Sequence, residues 1–218
     1  MQNVQIKICG MTNLADARYC AALGADYLGF IQYPASPRYV HPTLAQKIIE
    51  WVEGPQSVGV FVNENPDAVN QIASDAGFDL VQLHGDETPE YCRQIEKPVI
   101  KAIRVKSSHT ADQLRRTMEG YRSSVSLFLL DSFVLGLPGG TGRISPWRTA
   151  AAVSGDYPVI LAGGLGADNV VEAVETVRPV GIDVASGVEK TPGRKNFEAV
   201  DRLFAAMTSM QNGSGDGT

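Results

Sequence analysis

The sequence predicts a single-domain (β/α)8 barrel, and three observations carry that expectation. Eight short β-rich runs alternate with helical patterns along the 218 residues. Their mean spacing of roughly 25 residues is that of a βα unit, and this number of units closes a parallel barrel near the lower end of its usual length. The first βα turn has no G-x-G-x-x-G, which an open dinucleotide-binding sheet would carry, whereas the last two runs both end in glycine-rich turns suited to a barrel phosphate site. The barrel is assigned to residues 1–207, and the segment 208–218, ending in QNGSGDGT, is expected to be a disordered tail.

The first run, QIKIC (5–9), sets the inside and outside of the barrel. Alternation puts Lys7 and Cys9 on one face and Ile6 and Ile8 on the other. An aliphatic face belongs against helices, so the Lys and the Cys point inward, with the thiol at the carboxyl end where barrels keep their chemistry. Taken alone, this strand favours Cys9 as a small buried hydrophobe, the commonest state of a free thiol; the polar set at the other strand ends is what makes it a participant. A helix follows over 13–23, opened by Thr12 and closed at Gly24. YLGFI (27–31) and a helix over 43–52 form the second unit, and SVGVFV (57–62) with 66–76 the third. Asn65-Pro66 opens that helix and Gly77 ends it, as a left-handed cap requires. LVQLHG (80–85) precedes a helix over 89–95 opened by Thr88-Pro89. VIKAIRV (99–105) with 111–119, LFLLDS (127–132) with 147–153, VILAGG (159–164) with 169–177 and GIDVAS (181–186) with 197–207 complete the set.

Composition narrows the function classes. With 44% hydrophobic and 20% charged residues the chain is an ordinary globular one, and its formal charge of −5 argues against nucleic acid or an anionic membrane surface as partner. Cys9, Cys20 and Cys92 are spaced as neither a metal motif nor a disulfide framework. MQNVQIKICG has no apolar signal core and no run reaches membrane-spanning length, so a reducing cytoplasm is expected.

Strand carboxyl ends and the loops after them collect a polar set that a barrel would gather round one mouth. Cys9 ends the first strand, and Ser36, Pro37 and Arg38 follow the second. His84 shares a face with Gln82, and Asp131 one with Leu127 and Leu129. Asp131 follows an apolar LFLL run, where burying an ionised carboxylate is costly, although Asp also caps turns routinely. His84 is either a site residue or a hydrogen-bonded wall residue. Arg38 is either a surface ion pair or a stiffly mounted fork of donors for a planar carboxylate. Gly163-Gly164 beside Ser186-Gly187 resembles a nest of backbone N–H groups, able to hold phosphate without net positive charge. Lys7 and Lys101 are expected to form a polar layer inside the barrel with acidic neighbours such as Asp183; a Schiff base on either lysine is the sharper alternative.

The chain resembles the phosphoribosylanthranilate isomerase family of tryptophan biosynthesis up to about Leu203. KICGMT (7–12), GFIQYPASPRYV (29–40), VGVFVN (58–63), VQLHGDE (81–87), KAIRV (101–105), LLDS (129–132), GGTG (139–142), LAGGL (161–165) and GIDVASGVE (181–189) carry the resemblance. It implies an Amadori rearrangement of a phosphorylated aminosugar, with Cys9 as general base and Asp131 as general acid. It further implies that Arg38 holds the anthranilate carboxylate, that His84 lines the same site, and that Gly163, Gly164, Ser186 and Gly187 bind phosphate, with Asp183 among the substrate-binding residues. No metal or organic cofactor is expected, since one acid and one base suffice. A thiol near ~8.5 and a carboxyl near ~3.9 must then exchange their usual protonation states, as a coupled pair. Three departures from the family touch the sixth loop and the phosphate rim: RISPW (143–147), with Pro146 at the usual Asp position, Gly166-Ala167 in place of Asn-Pro, and Ala185 in place of Ser. Rival readings are the histidine-pathway aminoaldose isomerase, a Schiff-base lyase using Lys101, and a phosphometabolite-binding barrel that has lost catalysis. Whether the chain is a monomer or a homodimer is left open.

Overall fold

The computed structural model describes residues 3–106, 108–131 and 146–213. Its strands are β1 (Gln5–Cys9), β2 (Tyr27–Ile31), β3 (Gln56–Phe61), β4 (Leu80–Leu83), β5 (Val99–Arg104), β6 (Leu127–Asp131), β7 (Val159–Ala162) and β8 (Gly181–Val184). Helices α1 (Leu14–Ala22), α2 (Pro42–Ile49), α3 (Pro66–Ala76), α4 (Pro89–Cys92), α5 (Ala111–Tyr121), α6 (Pro146–Ser154), α7 (Val170–Val177) and α8 (Phe197–Gly213) follow them in turn. The strands are parallel and hydrogen-bond in sequence order, and β1 pairs with β8, so the sheet closes into the expected (β/α)8 barrel. Among the described residues no helix is long and apolar enough to cross a membrane.

Two apolar layers follow from strand alternation. Val58, Val60, Ile100, Leu129 and Ile160 fill the barrel interior, while Ile6, Ile8, Val81, Leu130 and Ile182 pack outward against the helices. Helix starts obey local chemistry: Asn65 Oδ1 accepts from the Asp67 and Ala68 N–H groups ahead of Pro66, and Thr88 caps α4 through the Tyr91 N–H. Gly77 ends α3 at φ 73°, a left-handed angle that glycine adopts without a Cβ penalty.

Several expectations need correction. The cap of α1 is Asn13, whose side chain accepts from Asp16 N, and Thr12 instead donates to the Gly193 carbonyl. Helix α8 passes Met207 and runs to Gly213. A short 3-10 turn at Ser186–Val188 and an antiparallel hairpin, β9 (Glu189–Thr191) and β10 (Arg194–Lys195), stand between β8 and α8 and were not expected. Lys101 does not join Lys7 inside the barrel. Its neighbours Ile100 and Ala102 point inward, so Lys101 faces the helices. There its Nζ donates to Glu87 Oε2 at 2.7 Å and to the Gly85 carbonyl at 2.7 Å, under the Tyr121 ring. The loop GLPGGTGR (136–143), with Arg143, lies outside the described residues.

Candidate active site

The carboxyl ends of the strands surround a cavity of about 380 Å³. Cys9 opens onto it from β1, with Lys7 one inward position below. Lys7 is fully buried and its Nζ lies 2.9 Å from Asp183 Oδ1 of β8. Burial opposes the Lys7 charge, but Asp183 and Cys9 outweigh it and hold the ammonium above its usual value. Burial pushes the Cys9 thiol above its usual value; Lys7 opposes this, Asp183 adds to it, and Lys195 favours the thiolate less strongly than Lys7. The expected polar layer therefore exists around Lys7 and Asp183, directly beneath the thiol.

Across the cavity, β4 and β6 supply the second polar group. Gln82 Nε2 stands 2.8 Å from His84 Nδ1, and His84 Nε2 lies 3.7 Å from Asp131 Oδ2. Nε2 is the ring nitrogen that faces Asp131, and which ring nitrogen carries the proton follows from the bond that Gln82 makes to the other. The Gln82 side-chain oxygen is buried with no protein partner. Gln82, His84 and Asp131 all line the cavity.

Arg38 reaches the same cavity from the loop after β2 and is held from behind by Glu189 of β9. Its Nε lies 3.0 Å from both Glu189 oxygens and Nη2 lies 2.6 Å from Oε2. Glu189 is nearly inaccessible and also accepts from Lys195 Nζ at 3.1 Å and Gly193 N at 3.1 Å. Burial disfavours the Glu189 charge, but Arg38 and Lys195 outweigh it, so its carboxyl titrates below its usual range.

The two glycine turns meet at the cavity rim. Gly163 and Gly164 have φ of 100° and 66° and line the cavity with Leu165, Ala185 and Ser186. Asn169 braces the first turn, accepting from Gly166 N at 2.9 Å and donating to the Gly164 carbonyl at 3.0 Å. Gly187 does not line the cavity. It lets the turns touch, because a Cβ there would run into the Leu165 carbonyl.

The family model for N-(5'phosphoribosyl)anthranilate (PRA) isomerase matches residues 6–206. The chain belongs to the PRA isomerase family. N-(5'-phosphoribosyl)anthranilate isomerase of Geobacter sulfurreducens is 49% identical over 198 residues, covering 90% of this chain and 95% of that protein. The Trichlorobacter lovleyi relative of the same name is 46% identical over 199 residues, covering 90% and 94%. The crystal structure of the Thermotoga maritima enzyme superposes with a TM-score of 0.83 at 37% identity, covering 94% of this chain and 99% of that one. A PRA isomerase crystallised with reduced 1-(o-carboxyphenylamino)-1-deoxyribulose 5-phosphate superposes with a TM-score of 0.82 at 36% identity, covering 94% and 99%. The Thermotoga maritima enzyme is dimeric, and monomers have been generated from it. Membership of the PRA isomerase family makes the protein an aldose–ketose isomerase of tryptophan biosynthesis.

Within this PRA isomerase barrel, Cys9, Arg38, His84, Asp131, Gly163, Gly164, Asp183 and Ser186 converge on one cavity. Sequence reasoning gave no role to Glu189, Lys195 or Gly29. Glu189 closes the GIDVASGVE motif, and a Pro-Gly pair at 192–193 signals the turn that brings Lys195 back to it. Gly29 carries no signal beyond its type, since a glycine inside a strand says only that something passes close.

Proposed function

We propose that the protein converts N-(5-phosphoribosyl)anthranilate to 1-(2-carboxyphenylamino)-1-deoxyribulose 5-phosphate, with Cys9 as general base and Asp131 as general acid. The observation that carries this reading is the placement of a thiol and a carboxyl on non-neighbouring strands, β1 and β6, across one cavity. Asp131 gives a proton to the furanose ring oxygen, the ring C–O bond breaks and an iminium forms at C1. Cys9 as thiolate removes the C2 proton, and that C–H electron pair becomes the C1–C2 double bond of an enolamine. The enolamine then tautomerises to the ketose. Acid and base suffice for these steps, so the reading assigns no cofactor.

The remaining residues fit the two ends of this substrate. Arg38 spends its Nε–H and one Nη2–H on Glu189, which leaves one Nη1–H and the second Nη2–H as a planar pair for the anthranilate carboxylate. His84, whose Nε2 faces Asp131 Oδ2 at 3.7 Å, orients the acid. Asp183 acts through Lys7, keeping an ammonium beside the thiol. The Gly163-Gly164 and Ser186 turns offer backbone N–H groups to the phosphate, and Gly187 holds the two turns together. A reducing cytoplasm suits a base that must stay a free thiol, as Cys9, Cys20 and Cys92 all are here.

Turnover followed by the fluorescence of the anthranilate substrate tests the assignment. Cys9→Ala and Asp131→Asn are each expected to lose about 10²–10⁴-fold in kcat with native near-UV circular dichroism. A variant that keeps more than about a tenth of wild-type kcat loses its place as base or acid.

A further inference from the structure

We infer that Glu189 and Lys195, at the two ends of the β9–β10 hairpin, form a positioning unit that presents Arg38 and sets the charge around Cys9. The inference rests on the reading of Cys9 as base and Arg38 as carboxylate holder. The Lys195 side chain is 0% exposed and that of Glu189 is 3% exposed. Lys195 Nζ donates to the Cys9 carbonyl at 2.6 Å and to Glu189 Oε1 at 3.1 Å. Glu189 in turn takes the Nε and Nη2 edge of Arg38. The Lys195 backbone N–H donates to the buried Asp16 carboxylate of α1 at 2.9 Å, so the hairpin is clamped at its base as well.

An apolar pair of similar volume would anchor a hairpin at least as well as a buried ion pair. Two things that an apolar pair cannot supply are a fixed edge for a guanidinium and a field at the thiol. The charges facing Cys9 are Lys7 on its own strand, Asp183 on β8, Lys195 on β10 and Arg38 on the loop after β2. Lys7 and Asp183 cancel as an ion pair. Arg38 and Lys195 share the carboxylate of Glu189, and the Asp16 carboxylate sits on the Lys195 backbone N–H, so what the hairpin brings to the thiol is the nearby Lys195 ammonium, held against the Cys9 carbonyl, and not a net charge of the whole cluster. That ammonium lies at the end of the strand carrying the thiol, where it favours the thiolate.

The test uses Lys195→Met and Glu189→Gln in the full chain, with two readouts. One is the pH midpoint of iodoacetamide alkylation at Cys9, read by mass spectrometry; Cys20 and Cys92 lie on other peptides, with thiols pushed up to about 12 and about 11. The other is the division of any kinetic loss between KM and kcat. Lys195→Met is expected to raise the Cys9 midpoint by about one pH unit. Glu189→Gln is expected to lower it and to raise KM about tenfold, with a smaller change in kcat. An unmoved midpoint with unchanged KM, or loss of the native fold in both variants, would leave the hairpin a purely structural role and overturn the proposal. A shifted midpoint in an enzyme whose Cys9→Ala variant stays active would instead remove Cys9 as base and leave the charge effect standing.

Discussion

Gly29 of β2 passes so close to Cys9 of β1 that a Cβ at position 29 would stand 2.7 Å from Cys9 Sγ and 2.9 Å from Lys7 Nζ. The two residues are register partners across the neighbouring strands. The thiol and the ammonium therefore share a space that exists because position 29 has no side chain. Gly29→Ala forces one of them out of place. Overpacking of this kind costs on the order of 1–3 kcal/mol of stability. The larger expected effect is on chemistry, a fall in kcat of about tenfold or more, since a displacement near 1 Å at the base can cost up to about 10²-fold. A Gly29→Ala enzyme with wild-type kcat would show that the Cys9 position is not under this constraint.

The Arg38–Glu189 pair predicts how a variant of Arg38 fails. The carboxylate it is assigned to hold keeps its charge through the reaction, so Arg38 contributes binding common to substrate and transition state. Arg38→Met is expected to raise KM more than it lowers kcat. It also leaves Glu189, among the described residues, with Lys195 and Gly193 N, so thermal stability should fall as well. Unchanged KM would return Arg38 to a structural ion pair.

Gly164 sits at φ 66° on the cavity rim, where a β-branched side chain is strained and would crowd an anion. Gly164→Val should weaken a phosphate-bearing product analogue far more than its dephosphorylated counterpart, measured by calorimetry. Equal weakening of both ligands would place the phosphate elsewhere.

Acid sensitivity should be concentrated in two buried carboxylates. Burial works against the Glu87 charge, but Lys101 and the N–H groups of Asn63 and Gly85 outweigh it and lower its pKa from the usual 4.5. Glu189 is lowered likewise. A carboxyl whose folded pKa lies below its unfolded value stabilises the fold above the unfolded value. That contribution is lost as pH falls from about 4.5 through the folded pKa. Urea midpoints should therefore drop between pH 6 and pH 3.5. Glu87→Gln should be less stable at pH 6 by about 3–5 kcal/mol, because Lys101 is left buried without its carboxylate. Its decline on acidification should be shallower than that of the wild type, with Glu189 supplying the rest. An equally steep decline would remove Glu87 as a source of the acid sensitivity.

The parts of the fold that were legible are those where one local pattern has one structural solution. Alternation in QIKIC places Ile6 and Ile8 outside and Lys7 and Cys9 inside, and both pairs lie there. Asn65-Pro66, Thr88-Pro89 and Gly77 mark helix ends through chemistry confined to adjacent residues. Sequence alone puts Lys101 on the wrong face because its strand is buried on both sides, so neither face is marked by polarity. Its position becomes intelligible only with Glu87, which approaches it from the loop after β4. The β9–β10 hairpin escaped for another reason: strands of three and two residues are too short to show any period. Glu189 stood in a recognised motif, yet its partners Arg38 and Lys195 come from opposite ends of the chain, and nothing local joins them.

Those long separations have a consequence for how the protein comes into being. Lys7 meets Asp183 across 176 residues, Arg38 meets Glu189 across 151, and the Cys9 carbonyl meets Lys195 across 186. During synthesis from the ribosome the amino-terminal strand emerges first and must wait for almost the whole chain before its inward lysine finds a counter-charge. Loop closure over such distances comes late, because its entropy cost precedes any reward from contact. In order of synthesis the seam between β1 and β8 is the last strand pairing that can form, and it is the one that brings Asp183 to the lysine beside the thiol. A nascent chain stalled before residue 181 can hold much of its helical shell and still possess no working catalytic centre.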